Sequence, residues 1–264
     1  MFTSLTRKTF LLLFIGIVVL LFVQHPILAA TFDEAYQGYL SIYENYKTAY
    51  QAYTTTRNQY LTYQTLTSQN EALIAVRDFL IKRDAVFSSY LGLLSKKNTD
   101  PVLGSLLTTE MNFLVSHSAS VSALGSLEDA VTSSQQVENK NTNWLILSKK
   151  VVANTLMSKI NSIKLSVSQS TNEANTLIVT LKNNGKDVSV LERWLLESKN
   201  KQALAQQKLA QSAVLISNIS GTNENDIGKK YDEITTIILE ANQYLKEALG
   251  FLKEMSETIK YGEY

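Results

Sequence analysis

From residue 27 to residue 264 this chain contains one proline, Pro101. Proline removes a backbone donor and clashes with the preceding turn, so its near-absence lets helices run long. Over the same stretch apolar residues recur every three or four positions, the spacing of one helix face. Ile227, Tyr231, Ile234, Ile238, Ala241, Leu245, Leu249, Leu252, Met255 and Ile259 show it, as do Val152, Leu156, Ile160, Ile163, Val167, Ala174, Leu177 and Leu181. Such seams pack as knobs into holes. The expected fold is all-α, an elongated antiparallel bundle of about six long helices with coiled-coil-like packing.

The breaks in the pattern place those helices. Ser68 followed by Glu71 reads as a capping box before an apolar run. Asp100-Pro101 sets a good N-cap beside the one helical position that tolerates proline. Glu138 to Asn143 holds no apolar residue, and Asn184-Gly185-Lys186-Asp187 and Gly221 to Asp226 combine stop and start signals. The predicted helices are 32–65, 69–96, 101–136, 143–183, 187–219 and 224–259. The stretch 138–143 also offers a boundary between two halves of a 31–264 bundle.

The first thirty residues differ from the rest. Arg7 and Lys8 precede an unbroken apolar run from Phe10 to Val23, followed by Gln24-His25-Pro26 and then Ile27-Leu28-Ala29-Ala30. These are the parts of a secretory signal peptide, with cleavage expected after Ala30. The run is shorter than the roughly 20 residues of a bilayer span. If cleavage fails, residues 10–30 serve as a tilted N-terminal anchor, which is the one membrane contact expected. Either way residues 31–264 are exported and extracytoplasmic, outside the cell or at its surface.

Composition narrows the chemistry. With no cysteine there is no disulfide framework, thiolate zinc site or cysteine nucleophile. Of 25 basic residues, Arg7 and Lys8 lie in the leader, leaving 23 against 24 acidic ones. That balance offers no basic face for nucleic acid. His117 is the single histidine after residue 30. Ser116, Ser118, Ser120 and Ser122 surround it, but helix neighbours point about 100° apart and do not assemble a triad. No acidic residue lies three or four positions from it to form a di-iron motif. The pairs Glu128-Asp129, Asp232-Glu233, Glu192 with Glu197 and Glu254 with Glu257 read as polar helix faces. No catalytic residue, metal or cofactor is expected.

Two features stand out. Tyr36, Tyr39, Tyr43, Tyr46, Tyr50, Tyr53 and Tyr60 take seven of eight consecutive positions at three-and-four spacing, with Arg57 in the remaining one. Ala35, Ile42 and Ala49 flank the same side. A tyrosine brings a large apolar ring and a hydroxyl that wants a partner when buried. The stripe is either a half-buried seam or an exposed face that docks a partner helix, a glycan or a second copy. Tyr39, Tyr43, Tyr46, Tyr50 and Arg57 form its expected partner-binding centre.

The second feature is a charge desert, since Glu110 is the one charged residue between Pro101 and Leu127. A helix apolar all round belongs at a bundle's centre. An exported bundle with one such helix resembles, in outline, the secreted helical pore-forming toxins, which implies membrane activity as an alternative. A third reading is the ectodomain of a single-pass sensor or scaffold anchored through residues 10–30. The leading expectation is an exported, non-enzymatic bundle acting through contact with a protein or cell-envelope component, self-association included.

Overall fold

A computed structural model of the chain describes residues 26–262; of the leader reading of residues 1–30, residues 1–25 lie outside them and residues 26–30 open the first helix. The described residues form seven helices and no strand. They are α1 (Pro26–Tyr63), α2 (Leu66–Lys97), α3 (Pro101–Val121), α4 (Leu127–Glu138), α5 (Asn141–Asn183), α6 (Ser189–Ser217) and α7 (Glu224–Tyr261). The protein is an all-α helical bundle. None of the described helices is long and apolar enough to cross a membrane.

Several ends follow from local chemistry. Asp100 accepts from the backbone N–H groups of Val102 and Leu103 at 2.8 and 3.0 Å, so α3 starts where the Asp-Pro pair predicts. After α5, Gly185 takes φ +73°, and Gly185 and Lys186 donate to the carbonyls of Lys182 and Leu181. That pair of bonds is the Schellman closure, which a Cβ would strain. Asn223 caps α7, its side chain accepting from the Asp226 N–H at 3.0 Å.

Three expected boundaries need correction. The box at the start of α2 is Thr65–Ser68, each side chain bonding the other's backbone N–H, and not Ser68–Glu71. The helix expected over 101–136 is broken at 122–126. Ser126 accepts from the Asp129 N–H at 3.0 Å and starts α4 afresh, with Glu128 and Asp129 favourably placed at its positive end. The stretch around 138–143 shrinks to a turn at Asn139 and Lys140.

The chain divides into two compact units. The first comprises residues 26–152 and 219–228, the second residues 153–218 and 229–262, so the divisions fall inside α5 and α7. In the second unit, α7 buries Ile234, Ile238, Ala241, Leu245, Ala248, Leu252 and Met255, an unbroken alternation of four and three. Leu191, Leu195, Ser198, Ala205, Leu209, Ser212 and Ile216 do the same on α6. Gln202 fills the vacant place in that series and bonds Thr171 and Ser168 of α5. Lys201 pairs with Glu247 at 2.7 Å and Lys208 with Glu240 at 2.5 Å, opposed numbering that makes α6 and α7 antiparallel. The seam expected on α5 shifts slightly: Val151 is buried while Val152 is exposed, and Ile178 joins Ile160 and Val167 inside.

In the first unit α2 is the central helix, packed by α1, α3 and α4. One apolar cluster joins Leu91, Leu94, Leu103, Leu107, Leu114, Val137 and Trp144; a second joins Val76, Leu80, Val121 and Ala130. The expectation of a central helix at 101–127 fails. α3 buries Leu103, Leu107, Leu114, His117 and Val121 on one side while Val102, Leu106 and Val115 face solvent. Its outer face is covered by Ser, Thr and Asn, which hydrate well without charge. Thr108 and Thr109 return their hydroxyls to backbone carbonyls four residues back.

Candidate contact surface

Two residues, Gln64 and Thr65, turn the chain back from α1 onto α2, with Gln64 in the left-handed region at φ +48°. The helices run antiparallel, so Tyr39 meets Tyr90 while Tyr53 meets Phe79. A heptad line makes the contact: Ala35, Ile42, Ala49 and Thr56 form one column, and Tyr39, Tyr46, Tyr53 and Tyr60 form the next. Ala49 is buried and the others are half-buried. Small residues in the first column let α2 approach, and the rings of the second lie over it. Phe79 is the shared anchor, with Tyr53, Tyr46 and Tyr50 ring centroids at 5.1, 5.6 and 5.6 Å.

The sequence stripe therefore splits in two. Tyr39 and Tyr46 belong to the packed column, and burial pushes both phenols above their ordinary range, helped by neighbouring tyrosines. Tyr43, Tyr50 and Arg57, together with Tyr36, form a separate column one residue round the helix. Tyr36, Tyr43 and Tyr50 keep 43, 39 and 50% of their surface exposed. The five expected site residues thus lie along one helix, α1, but on two of its faces.

The columns are tied together by the rings. Phe32, Tyr36, Tyr39, Tyr43, Tyr46 and Tyr50 stack in succession with centroids 6.0–6.5 Å apart. Each exposed ring leans on packed ones, so it is held in place before any partner arrives. Lys47 lies over the Tyr43 ring at 5.5 Å and pairs with Glu44 at 2.7 Å. The opposite flank of α1 carries Gly38, Asn45, Ala52 and Gln59, all exposed. One flank is aromatic and the other small and polar. The seven-residue repeat within each column was legible in the sequence; the side α2 would cover was not.

A polar cluster that the sequence did not signal lies between α2, α3 and α4. His117 Nδ1 is 2.6 Å from Asp84 Oδ2, and His117 Nε2 is 2.8 Å from Ser133 Oγ and 3.0 Å from the Ser133 carbonyl oxygen. Order and distances mimic a Ser-His-Asp relay, built from residues 33 positions before and 16 after the histidine. The chemistry differs. A carbonyl oxygen only accepts, so the tautomer that bonds it carries its proton on Nε2, and in that tautomer Nε2 takes none from the Ser133 hydroxyl as a general base would. Asp84, His117 and Ser133 are 1, 4 and 5% exposed, closed to a substrate. Arg83 Nη1 donates to Ser134 Oγ at 2.8 Å, and that hydroxyl donates to Glu138. The cluster pins α4 to α2 and α3.

Elsewhere, Glu128, Asp129, Asp232, Glu233, Glu254, Glu257 and Glu192 are exposed, as expected of polar helix faces, while Glu197 is half-buried. Among the described residues no three His, Asp or Glu side chains group as metal ligands would. Compared with protein-family models, curated proteins and solved structures, the chain matches none.

Proposed function

We propose that the chain is an exported, non-enzymatic helical-bundle protein that acts by contact with another protein or a cell-envelope component through the aromatic flank of α1. One observation carries the proposal. Tyr36, Tyr43 and Tyr50 leave large ring surfaces in solvent while being held by stacking on their packed neighbours. Ordered, exposed tyrosines contribute contact area at small entropic cost, which is why they concentrate at interfaces. The leader pattern of residues 7–30 supports export.

The test is crosslinked capture on the native envelope with the full chain and with Tyr36→Ser/Tyr43→Ser/Tyr50→Ser. The variant keeps wild-type helix content, because Tyr39, Tyr46, Tyr53 and Tyr60 still pack on α2, and it loses the captured partner. Identical capture by both forms would overturn the proposal. The intact mass of the exported protein reports whether residues 1–30 are removed or retained as an anchor.

A further inference from the structure

The exposed flank of α1 is a second seam with its own heptad spacing. Asp33, Tyr36, Leu40, Tyr43, Lys47, Tyr50, Thr54, Arg57 and Leu61 alternate by three and four, and all but the half-buried Thr54 are exposed. It is the spacing that packs one helix against another, yet within the first unit α1 makes its extensive contact with α2, through the other seam, and leaves this one to solvent. The charges along this flank are ordered, with acidic Asp33 at the N-terminal end, Lys47 near the middle and basic Arg57 toward the C-terminal end.

That order selects the occupant. A second copy laid parallel would set Asp33 beside Asp33, Lys47 beside Lys47 and Arg57 beside Arg57. Laid antiparallel about residue 45, it sets Asp33 opposite Arg57, Tyr36 opposite Thr54, Leu40 opposite Tyr50 and Tyr43 opposite Lys47. Each charged residue then meets an opposite charge or a ring face. Lys47 already lies over its own Tyr43, so the swap to the other copy's ring keeps the same cation–π contact. The two Lys47 residues then stand about 6 Å apart along the axis instead of side by side, and a two-fold axis makes the surface its own complement. We infer that α1 pairs with α1 of a second copy of this chain, antiparallel, through this flank. The pairing rests on the contact role proposed above and names its partner. The paired stretch, residues 33–57, spans roughly 36 Å of helix.

The absence of cysteine makes the register directly readable. The full-length chain is prepared as Leu40→Cys and as Tyr50→Cys, oxidised singly and as a mixture, and resolved on a non-reducing gel. The mixture gives a disulfide dimer several times more abundant than either variant alone. Arg57→Asp lowers that yield several-fold, and Asp33→Arg combined with Arg57→Asp in one chain restores it. Parallel pairing would make each single variant crosslink as well as the mixture, and overturns the assignment. Absence of dimer in every combination also overturns it. If that happens while the Tyr→Ser variant still loses its captured partner, the second-copy assignment falls alone; if neither responds, the contact role falls with it.

Discussion

Phe79 should decide whether α1 is held by its tyrosines or merely accompanies them. Three rings of α1 converge on it at 5.1–5.6 Å, one stacked and two tilted. Phe79→Ala removes a half-buried aromatic side chain, for which truncation of a core Phe costs about 3–5 kcal/mol. Partial exposure takes the burial loss below that range, to about 1.5 kcal/mol. Loss of three ring pairs, each worth about 0.5–1.5 kcal/mol, adds about 1.5 kcal/mol at the low end. The sum, about 3 kcal/mol, falls mainly on the α1–α2 contact, while the Val76, Leu80, Val121 and Ala130 cluster loses only the edge contact of a half-buried ring. Hydrogen exchange at the α1 amides is the assay. Protection there should fall by about a hundredfold, since each 1.4 kcal/mol is a factor of ten, while the amides of α3 change far less. Phe79→Leu, which keeps apolar volume but no ring, should recover the burial part and forfeit the stacking part. A cost below about 1 kcal/mol for Phe79→Ala would refute the anchor role. Equal protection loss in α1 and α3 would refute its locality.

Two further outcomes can be checked by urea unfolding. At Gly221 an added Cβ would stand 2.8 Å from Ile227 Cγ1 and 3.3 Å from Asp226 Cβ; Gly221→Ala should cost about 1–3 kcal/mol, and a neutral result would mean that the first turn of α7 gives way freely. Burial raises the Asp84 carboxyl above its ordinary value of 3.8 against the opposing pull of His117 and Arg83. An acid whose folded value is raised binds its proton more tightly in the folded than in the unfolded state. Its contribution is therefore fully present below the unfolded value and is lost as pH rises through the folded one. The stability of the wild type relative to Asp84→Asn should accordingly fall as pH climbs from 3.8, and a rise over that window would contradict burial as the dominant influence.

What the sequence determined is whatever helix-local physics controls. One proline after residue 26 and a three-and-four apolar spacing are enough for an all-α bundle. The Asp100 cap and the Gly185 closure follow from single residues whose chemistry acts within one turn. The α7 seam from Ile234 to Met255 was legible for the same reason, because a continuous apolar stripe has only one side to bury. The Ser126–Asp129 cap was also written there, and it outweighs the apolar continuity of 101–136. Tertiary structure decided matters that depend on which neighbour arrives. Seven tyrosines at this spacing cover a face too wide for one helix contact, so the position of α2 selects Tyr39, Tyr46, Tyr53 and Tyr60 for packing. Tyr36 and Tyr43 are thereby left to solvent, and Tyr50 keeps half its surface there with its ring tilted on Phe79. Asp84, His117 and Ser133 meet because three helices cross at one level. No spacing along the chain encodes that meeting, and the Ser133 carbonyl beside His117 Nε2 is a backbone atom, which side-chain types do not reveal.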